Sequence, residues 1–340
     1  MIKNRIKHTL SIIVLCAMVA TLCSCSLPTK NDKGYTKNGF YLDTIITITL
    51  YCDDAKEQIN NCFKIAEKYD NLLSRTKENS DVSRINNAHT EFVAVDNDTV
   101  DIINQGIYYG DLSNGAFDIT IGRLTSLWDI QNRTIPPTET EINDTLGFTY
   151  KNIEINGNNV RLLSDKEMLD LGGIAKGFIA DKIREYLLSQ GINEGVINLG
   201  GNVVCLDKKN GKTEYNIGIQ KPFDESGQPL CSVSVYNKSI VTSGDYQRYF
   251  EYNGVKYHHI LDVNTGYPVN NELDSVTIIC DSSTAGDALS TIAFSYGLDK
   301  GKAFIEALPD TEAIFVTKDG KIINTPNVPI NSKKKKKAEP

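Results

Sequence analysis

Asp287 and Thr291 stand four residues apart in TAGDALST, residues 284–291. On a helix, that spacing puts a carboxylate and a hydroxyl on one face, one turn apart. Such a face can hold a cation. Alternatively, Thr284 is an N-cap and Asp287, three residues later, closes a box-like cap. A second segment, DLGGIAKG at 170–177, puts two glycines at a strand-to-helix turn. Glycine admits a ligand or another backbone at close range. A helix N-terminus offers free N–H groups and a favourable dipole to an anion. Lys176 falls in the first turn, where a cation is unfavourable unless negative charge lies near. The P-loop ending GK[ST] is missing, so a phosphate site and a plain tight turn both stand. The same two readings apply to NLGGN, 198–202. In GAFDITIG, 115–122, Asp118 sits beside an aromatic and, taken alone, reads as an exposed loop aspartate. His258 and His259 are adjacent; on a strand they point to opposite faces and do not easily share a metal. The expectation is one histidine facing a site and the other exposed, although an inward histidine is more often structural. Zinc spacing, a GxSxG elbow and a GxGxxG after a strand are all missing.

These residues need elements to position them. Residues 40–51, FYLDTIITITLY, alternate in the manner of a strand. A helix over 54–74 follows, with Ile59, Cys62, Phe63, Ala66 and Tyr69 on one face. A second helix covers 97–113. INGNN punctuates short strands within 150–163 as a hairpin. A helix leads from DLGGIAKG to Gly191, and GVINLGGNVVCL then reads as a buried strand with a glycine break. Residues 214–270 are mostly strands and turns, 275–280 a strand, and TAGDALST opens the next helix. No repeat is visible and βαβ alternation is irregular. The expected fold is α+β, with mixed, largely antiparallel sheets and packed helices in one catalytic unit over 39–330.

Length and composition set the outer bounds. The 340 residues, 40% of them hydrophobic, suffice for a large core. MIKNRIKH followed by the 13-residue apolar run LSIIVLCAMVATL reads as a signal peptide, 1–24, because the run is short for a membrane span. Leu22-Cys23-Ser24-Cys25 then precedes a polar stretch, 25–38, that reads as a tether. KKKKKAEP ends the chain as a solvated, disordered tail, 331–340, able to touch anionic lipid. Taking the leader's three cations and the tail's net +4 from the chain's −7 leaves about −14 on the body. An acidic body argues against nucleic acid as partner. Cys52, Cys62, Cys205, Cys231 and Cys280 form no CxxC and are odd in number, which favours buried free thiols over a disulfide framework.

Taken together, LDT near the first strand, SRIN, GAFDIT, DLGGIAKGFIAD, NLGGN, VTSGDYQRYF, HHILDVNTGYP and TAGDALST occur in order across 40–297. This set resembles the FAD:protein FMN transferases, the ApbE-type flavin transferases. The leader resembles a lipobox, which implies that Cys25 is lipidated and the protein is anchored at the extracytoplasmic face of the cell membrane; an ordinary secretory signal is the alternative. The resemblance implies Mg2+ held by Asp287, Thr291 and the backbone carbonyl of the turn at Gly173, with Thr284 near the metal. FAD, as substrate, would meet Leu42, Thr76, Ala116, Phe117, Asp118, Asp170, Lys176 and His259. Val263 stands where the family's HILDPxTG segment has proline.

The implied reaction moves FMN from FAD to a Thr or Ser hydroxyl of an acceptor protein and releases AMP, with His259 or Asp287 taking the proton. The implied acceptor carries a Ser/Thr-Gly-Ala-Thr-like motif, as in subunits of membrane redox complexes. This chain's closest stretch, SSTAG, lacks the order, so it is expected to modify others. Two rivals stand beside this: a metal-dependent FAD pyrophosphatase giving FMN and AMP, and a surface lipoprotein that only binds flavin.

Overall fold

The run FYLDTIITITLY reverses in its middle. The computed structural model describes residues 34–331 except 208, 210, 212, 225 and 227. In it Tyr35–Tyr41 (β1) and Thr44–Leu50 (β2) pair antiparallel, with Tyr41 opposite Thr44. Leu42 and Asp43 make the turn with φ of 56° and 53°. A two-residue hairpin turn of this hand needs positive φ at both positions, usually supplied by Asn-Gly. Leu-Asp carries no such signal, which is why the run reads as one strand. GVINLGGNVVCL also reverses, into Gly195–Leu199 (β3) and Asn202–Cys205 (β4). There Gly200 and Gly201, at φ 59° and 103°, make the turn.

Lys238–Gly244 (β5), Leu273–Cys280 (β6), Glu312–Thr317 (β7) and Ile322–Asn324 (β8) complete a sheet of eight antiparallel strands, β1 to β8 in chain order. The other elements, apart from the C-terminal Ile330–Asn331, are insertions into this meander. Helices α1 (Ala55–Leu73), α2 (Asp81–Asn86), α3 (Asn97–Leu112), α4 (Gly122–Trp128), α5 (Glu139–Thr145) and α6 (Ala175–Ser189) lie between β2 and β3. Helices α7 (Ser283–Tyr296) and α8 (Leu298–Glu306) lie between β6 and β7. The fold is α+β with largely antiparallel sheets. Helices α2, α4 and α5 are too short for an apolar period to show in sequence.

Helices cover one face of the sheet. Ile46, Ile48, Ile197, Leu199, Val276 and Ile278 pack there against Ile59, Ile102, Phe178, Ile292 and Phe294. Each such fully buried side chain contributes roughly 1.5–3 kcal/mol. A three-stranded sheet, Tyr215–Gln220, Pro229–Val235 and Ile330–Asn331, serves the other face, where its Tyr215, Ile219 and Val233 meet Cys205, Ile240, Ile279 and Ile314. Strand β6 is thus buried on both sides, which explains its continuous apolar run. A satellite core holds Trp128, whose Nε1–H donates to the Gly266 carbonyl at 2.6 Å and whose ring stacks on Tyr257. Trp128 thereby ties HILDVNTG to α4.

The pairings Ile46 to Leu199, Leu199 to Asn202, Asn202 to Val241 and Gly244 to Ser275 bring three motifs to one end of the sheet. They are the Leu42–Asp43 turn, the Gly200–Gly201 turn and Ser243–Gly244. The five described cysteines are free. Burial pushes the thiols of Cys62, Cys205 and Cys280 up to about 12, which makes them unreactive.

Residues 35–38, expected in the tether, instead begin β1, and Asn331, expected in the tail, pairs with Ser232. Cys25, the leader and the lysine run lie outside the described residues. Among the described residues no helix is long and apolar enough to cross a membrane.

Replacing Leu42 by Asn together with Asp43 by Gly removes two left-handed non-glycine residues and keeps the turn. Denaturant unfolding should show a gain of about 1 kcal/mol. An unchanged or lowered midpoint would show that the pair is not held left-handed.

Candidate active site

Helices α6 and α7, far apart in sequence, meet at their N-terminal turns. Gly177, in the first turn of α6, lies so close to α7 that a Cβ on it would sit 2.2 Å from the Ser283 carbonyl. That approach lets the Gly177 N–H donate to Asp287 Oδ2 at 2.9 Å. Four residues on, Asp181 takes the first turn of α7. Its Oδ1 accepts from Ser283 N at 2.9 Å, and its Oδ2 from Thr284 N, Thr284 Oγ1 and Ser282 Oγ at 2.9, 2.7 and 2.7 Å.

This arrangement corrects two expectations. The N-cap of α7 is Ser282, whose hydroxyl accepts from Ala285 N, not Thr284. The Thr284 hydroxyl points to Asp181, so Thr284 belongs to the cap and not to the Asp287 cluster. Asp287 does not cap its own helix either; it receives the N-terminus of α6.

Asp287 is 4% exposed. Its Oδ1 lies 3.5 Å from Lys176 Nζ, which also donates to the Gly172 carbonyl at 3.2 Å. The negative neighbour that a first-turn lysine requires is therefore Asp287. One turn on, Thr291 Oγ1 is within 3.4 Å of the Asp287 carbonyl and 3.3 Å of Ser243 Oγ, which also reaches Ser290 Oγ at 2.8 Å. Ser243 ties Thr291 to the end of the sheet where the glycine turns gather.

The donors fit a hard cation: a buried carboxylate, a hydroxyl one turn away and the Gly173 carbonyl, whose i+4 N–H is drawn off to Asp287. Among the described residues no three His, Cys, Asp or Glu side chains gather, so any cation here would lean on hydroxyl, carbonyl and ligand oxygens.

The turn before α6 is held from both sides. Asp170 Oδ1 accepts from Gly172 N at 2.8 Å. Its Oδ2 accepts from Thr125 Oγ1 at 2.7 Å and pairs with Arg75 Nε at 3.0 Å. Phe117, buried, lies against Gly173, where an added Cβ would meet its ring at 3.0 Å. Asp118 is not exposed, as a loop reading suggests. Its Oδ1 accepts from Thr120 N and Oγ1, its Oδ2 from Tyr150 N, and burial raises its pKa. It builds the loop that presents Ala116 and Phe117. Thr76 is exposed and bonds to Ser74. Leu42 sits in its hairpin turn.

The histidines divide differently from expectation. His258 is the buried one: its Nε2–H donates to the Val269 carbonyl at 2.8 Å and its Nδ1 accepts from Ile260 N. His258 is structural and will not tolerate replacement freely. His259 Nδ1 lies 3.3 Å from the Arg248 carbonyl, which fixes the proton on Nδ1 and leaves Nε2 as an acceptor. Crowding by protein atoms, then the charges of Arg248, His258 and Lys176, hold His259 well below the ordinary histidine range, at about 3. His259 is neutral and lies within the field of Lys176.

Two surface grooves of about 440 and 420 Å³ flank α6 and include neither Asp287 nor Lys176. The site lies instead where these turns converge. Sequence reasoning missed Arg75 and Asp181; the second closes DLGGIAKGFIAD and carried a signal only as the last letter of that motif.

The chain is similar to known proteins over most of its length. The model of the ApbE family matches residues 42–315. The FAD:protein FMN transferase of Klebsiella pneumoniae (strain 342) is 36% identical over 300 residues, 86% of this chain and 92% of that protein. That of Treponema pallidum (strain Nichols) is 30% identical over 312 residues, covering 85% and 86%. Among solved structures, the ApbE protein of Thermotoga maritima superposes with a TM-score of 0.80 at 31% identity, over 86% of this chain and 97% of that one. The flavin transferase ApbE of Vibrio cholerae gives 0.76 at 28% identity, over 86% and 96%.

Asp181→Asn replaces an all-acceptor cap by one that presents an N–H to donors. The expected loss of unfolding free energy is about 1–3 kcal/mol, read from denaturant curves. An unaltered midpoint would mean that Asp181 does not hold α7.

Proposed function

The chain belongs to the ApbE family, and from that premise we propose that it transfers FMN from FAD to a Ser or Thr hydroxyl of an acceptor protein, with Mg2+, releasing AMP. As a member it is an enzyme, a flavin transferase. The observation that carries the finer reading is the meeting of Asp287, one turn before Thr291, with Lys176 and Gly177 at the start of α6, with a neutral His259 in the field of Lys176.

Asp287, Thr291 and the Gly173 carbonyl would hold the metal. When bound, Mg2+ supplies charge neutralisation to the pyrophosphate oxygens and the AMP leaving group. The N-terminus of α6 and Lys176 bind the same phosphates. The acceptor oxygen attacks the FMN-side phosphorus, the bond from that phosphorus to the bridging oxygen breaks, and AMP leaves with that oxygen. His259 Nε2 takes the hydroxyl proton. Asp287 is the poorer base, because the Gly177 N–H engages one of its oxygens and the metal would take the other.

Incubation with FAD, Mg2+ and an acceptor domain bearing a Ser/Thr-Gly-Ala-Thr-like motif, followed by intact-mass analysis, tests this. The acceptor should gain one FMN. His259→Ala should slow labelling by roughly 10²–10⁴-fold with FAD affinity little changed. Asp287→Ala should abolish turnover and weaken FAD binding in Mg2+ far more than in EDTA. Cleavage of FAD without labelling by the wild type would establish the pyrophosphatase instead, and an unaffected Asp287→Ala would remove the metal from this site.

We also propose lipidation at Cys25 and an extracytoplasmic, membrane-anchored location, beside a redox-complex subunit as acceptor; the motif Leu22-Cys23-Ser24-Cys25 supports it. Mass analysis of the mature N-terminus is decisive: a chain beginning elsewhere without acyl groups ends this reading.

A further inference from the structure

The placement of Lys176 raises a question that phosphate binding alone does not answer. Its ammonium bridges the Gly172 carbonyl, 3.2 Å away, and Asp287 Oδ1, 3.5 Å away. It belongs to the first turn of α6, whose dipole disfavours a cation. Its side chain is 27% exposed, and that of Asp287 only 5%. The other Asp287 oxygen is fixed by the Gly177 N–H, so the carboxylate cannot rotate to offer Oδ2 in exchange. An ion approaching Asp287 therefore meets an ammonium at the same oxygen.

We propose that Lys176 is a built-in counter-cation that competes with a divalent ion for Asp287, so that the divalent ion and a pyrophosphate bind as a coupled pair. This rests on the reading of the site as one for Mg2+ and FAD. Two like charges cannot share Oδ1 without repulsion. The lysine stem is long and flexible, and anionic oxygens arriving at the α6 N-terminus give its ammonium another partner. The side chain then swings to the phosphates and frees Oδ1. Each ligand thus removes an obstacle to the other, and the coupling must be reciprocal. Mg2+ alone binds weakly, FAD alone binds without its metal bridge, and the pair binds tightly. A lysine serving only as a phosphate contact would have no effect on Mg2+ binding in the absence of FAD.

The sign of the effect tests this. Mg2+ is titrated calorimetrically into the whole folded protein without FAD, for wild type, Lys176→Gln and Lys176→Met, with Lys302→Gln as a charge control in α8. FAD affinity is followed by flavin fluorescence with saturating Mg2+ and in EDTA. Both Lys176 variants should bind Mg2+ more tightly than wild type, by on the order of 10-fold, and Lys302→Gln should not. The factor by which Mg2+ improves FAD affinity should shrink by the same ratio. Adding Asp287→Ala to Lys176→Gln should remove the gained Mg2+ binding. If wild type binds Mg2+ and the Lys176 variants bind it equally or less well, the counter-cation role is wrong while the metal reading stands. If neither wild type nor variants bind Mg2+, and FAD affinity is the same in Mg2+ and EDTA, the metal reading fails and takes this inference with it.

Discussion

The site depends on a reciprocal exchange of carboxylates between two helix N-termini. Asp287, from α7, accepts the Gly177 N–H in the first turn of α6. Asp181, from α6, accepts Ser283 and Thr284 N–H groups in the first turn of α7. Each helix places an anion at the positive end of the other's dipole and satisfies orphan donors there. Residues 177 and 181 are four apart and so share a face of α6. Only glycine at 177 allows it, because any Cβ would enter the Ser283 carbonyl.

From that exchange the rest of the geometry follows. It holds the Gly172–Gly173 turn beside Asp287, although the two lie more than a hundred positions apart in the chain. The sheet then fixes the second coordinate. Strand β6 carries the chain away from the site end and α7 returns along its face, so Thr291 arrives beside Ser243 at the end of β5. Asp170, gripped by Arg75 and Thr125, anchors the turn from behind. Trp128 fastens HILDVNTG to the same part of the molecule through Gly266. Four segments with no sequence proximity are thus located by a few directional bonds, while the apolar core supplies most of the free energy.

Local features were the legible ones. The spacing of Asp287 and Thr291 predicts their shared helix face, and the awkward place of Lys176 predicts an anion nearby. The helices near 54–74 and 97–113 are seen at Ala55–Leu73 and Asn97–Leu112, because each is long enough for its apolar period to register. Non-local features were not legible. Asp181 acts on residues about a hundred positions away, so nothing beside it in the chain announces its role. The burial of Asp118, and which of the two histidines is buried, depend on partners, Tyr150 and Val269, that sequence does not pair. Leu42–Asp43 hid a reversal because tertiary pairing of β1 with β2 imposes a left-handed turn that neither residue prefers.

The electrostatics of His259 connect this architecture to the proposed chemistry. A base near 3 is a weak one, and the causes of that value matter more than the value. The crowding by protein atoms is fixed by the fold, but Arg248, His258 and Lys176 act through their charge. On the proposed function, a pyrophosphate at the α6 N-terminus would place negative charge against Lys176, which contributes to the suppression of His259 behind burial, Arg248 and His258. The imidazole would then be somewhat more basic with substrate bound, and its Nε2 is open to accept because Nδ1 faces the Arg248 carbonyl. In the unliganded protein the same histidine remains neutral and weak, so water near it is poorly activated.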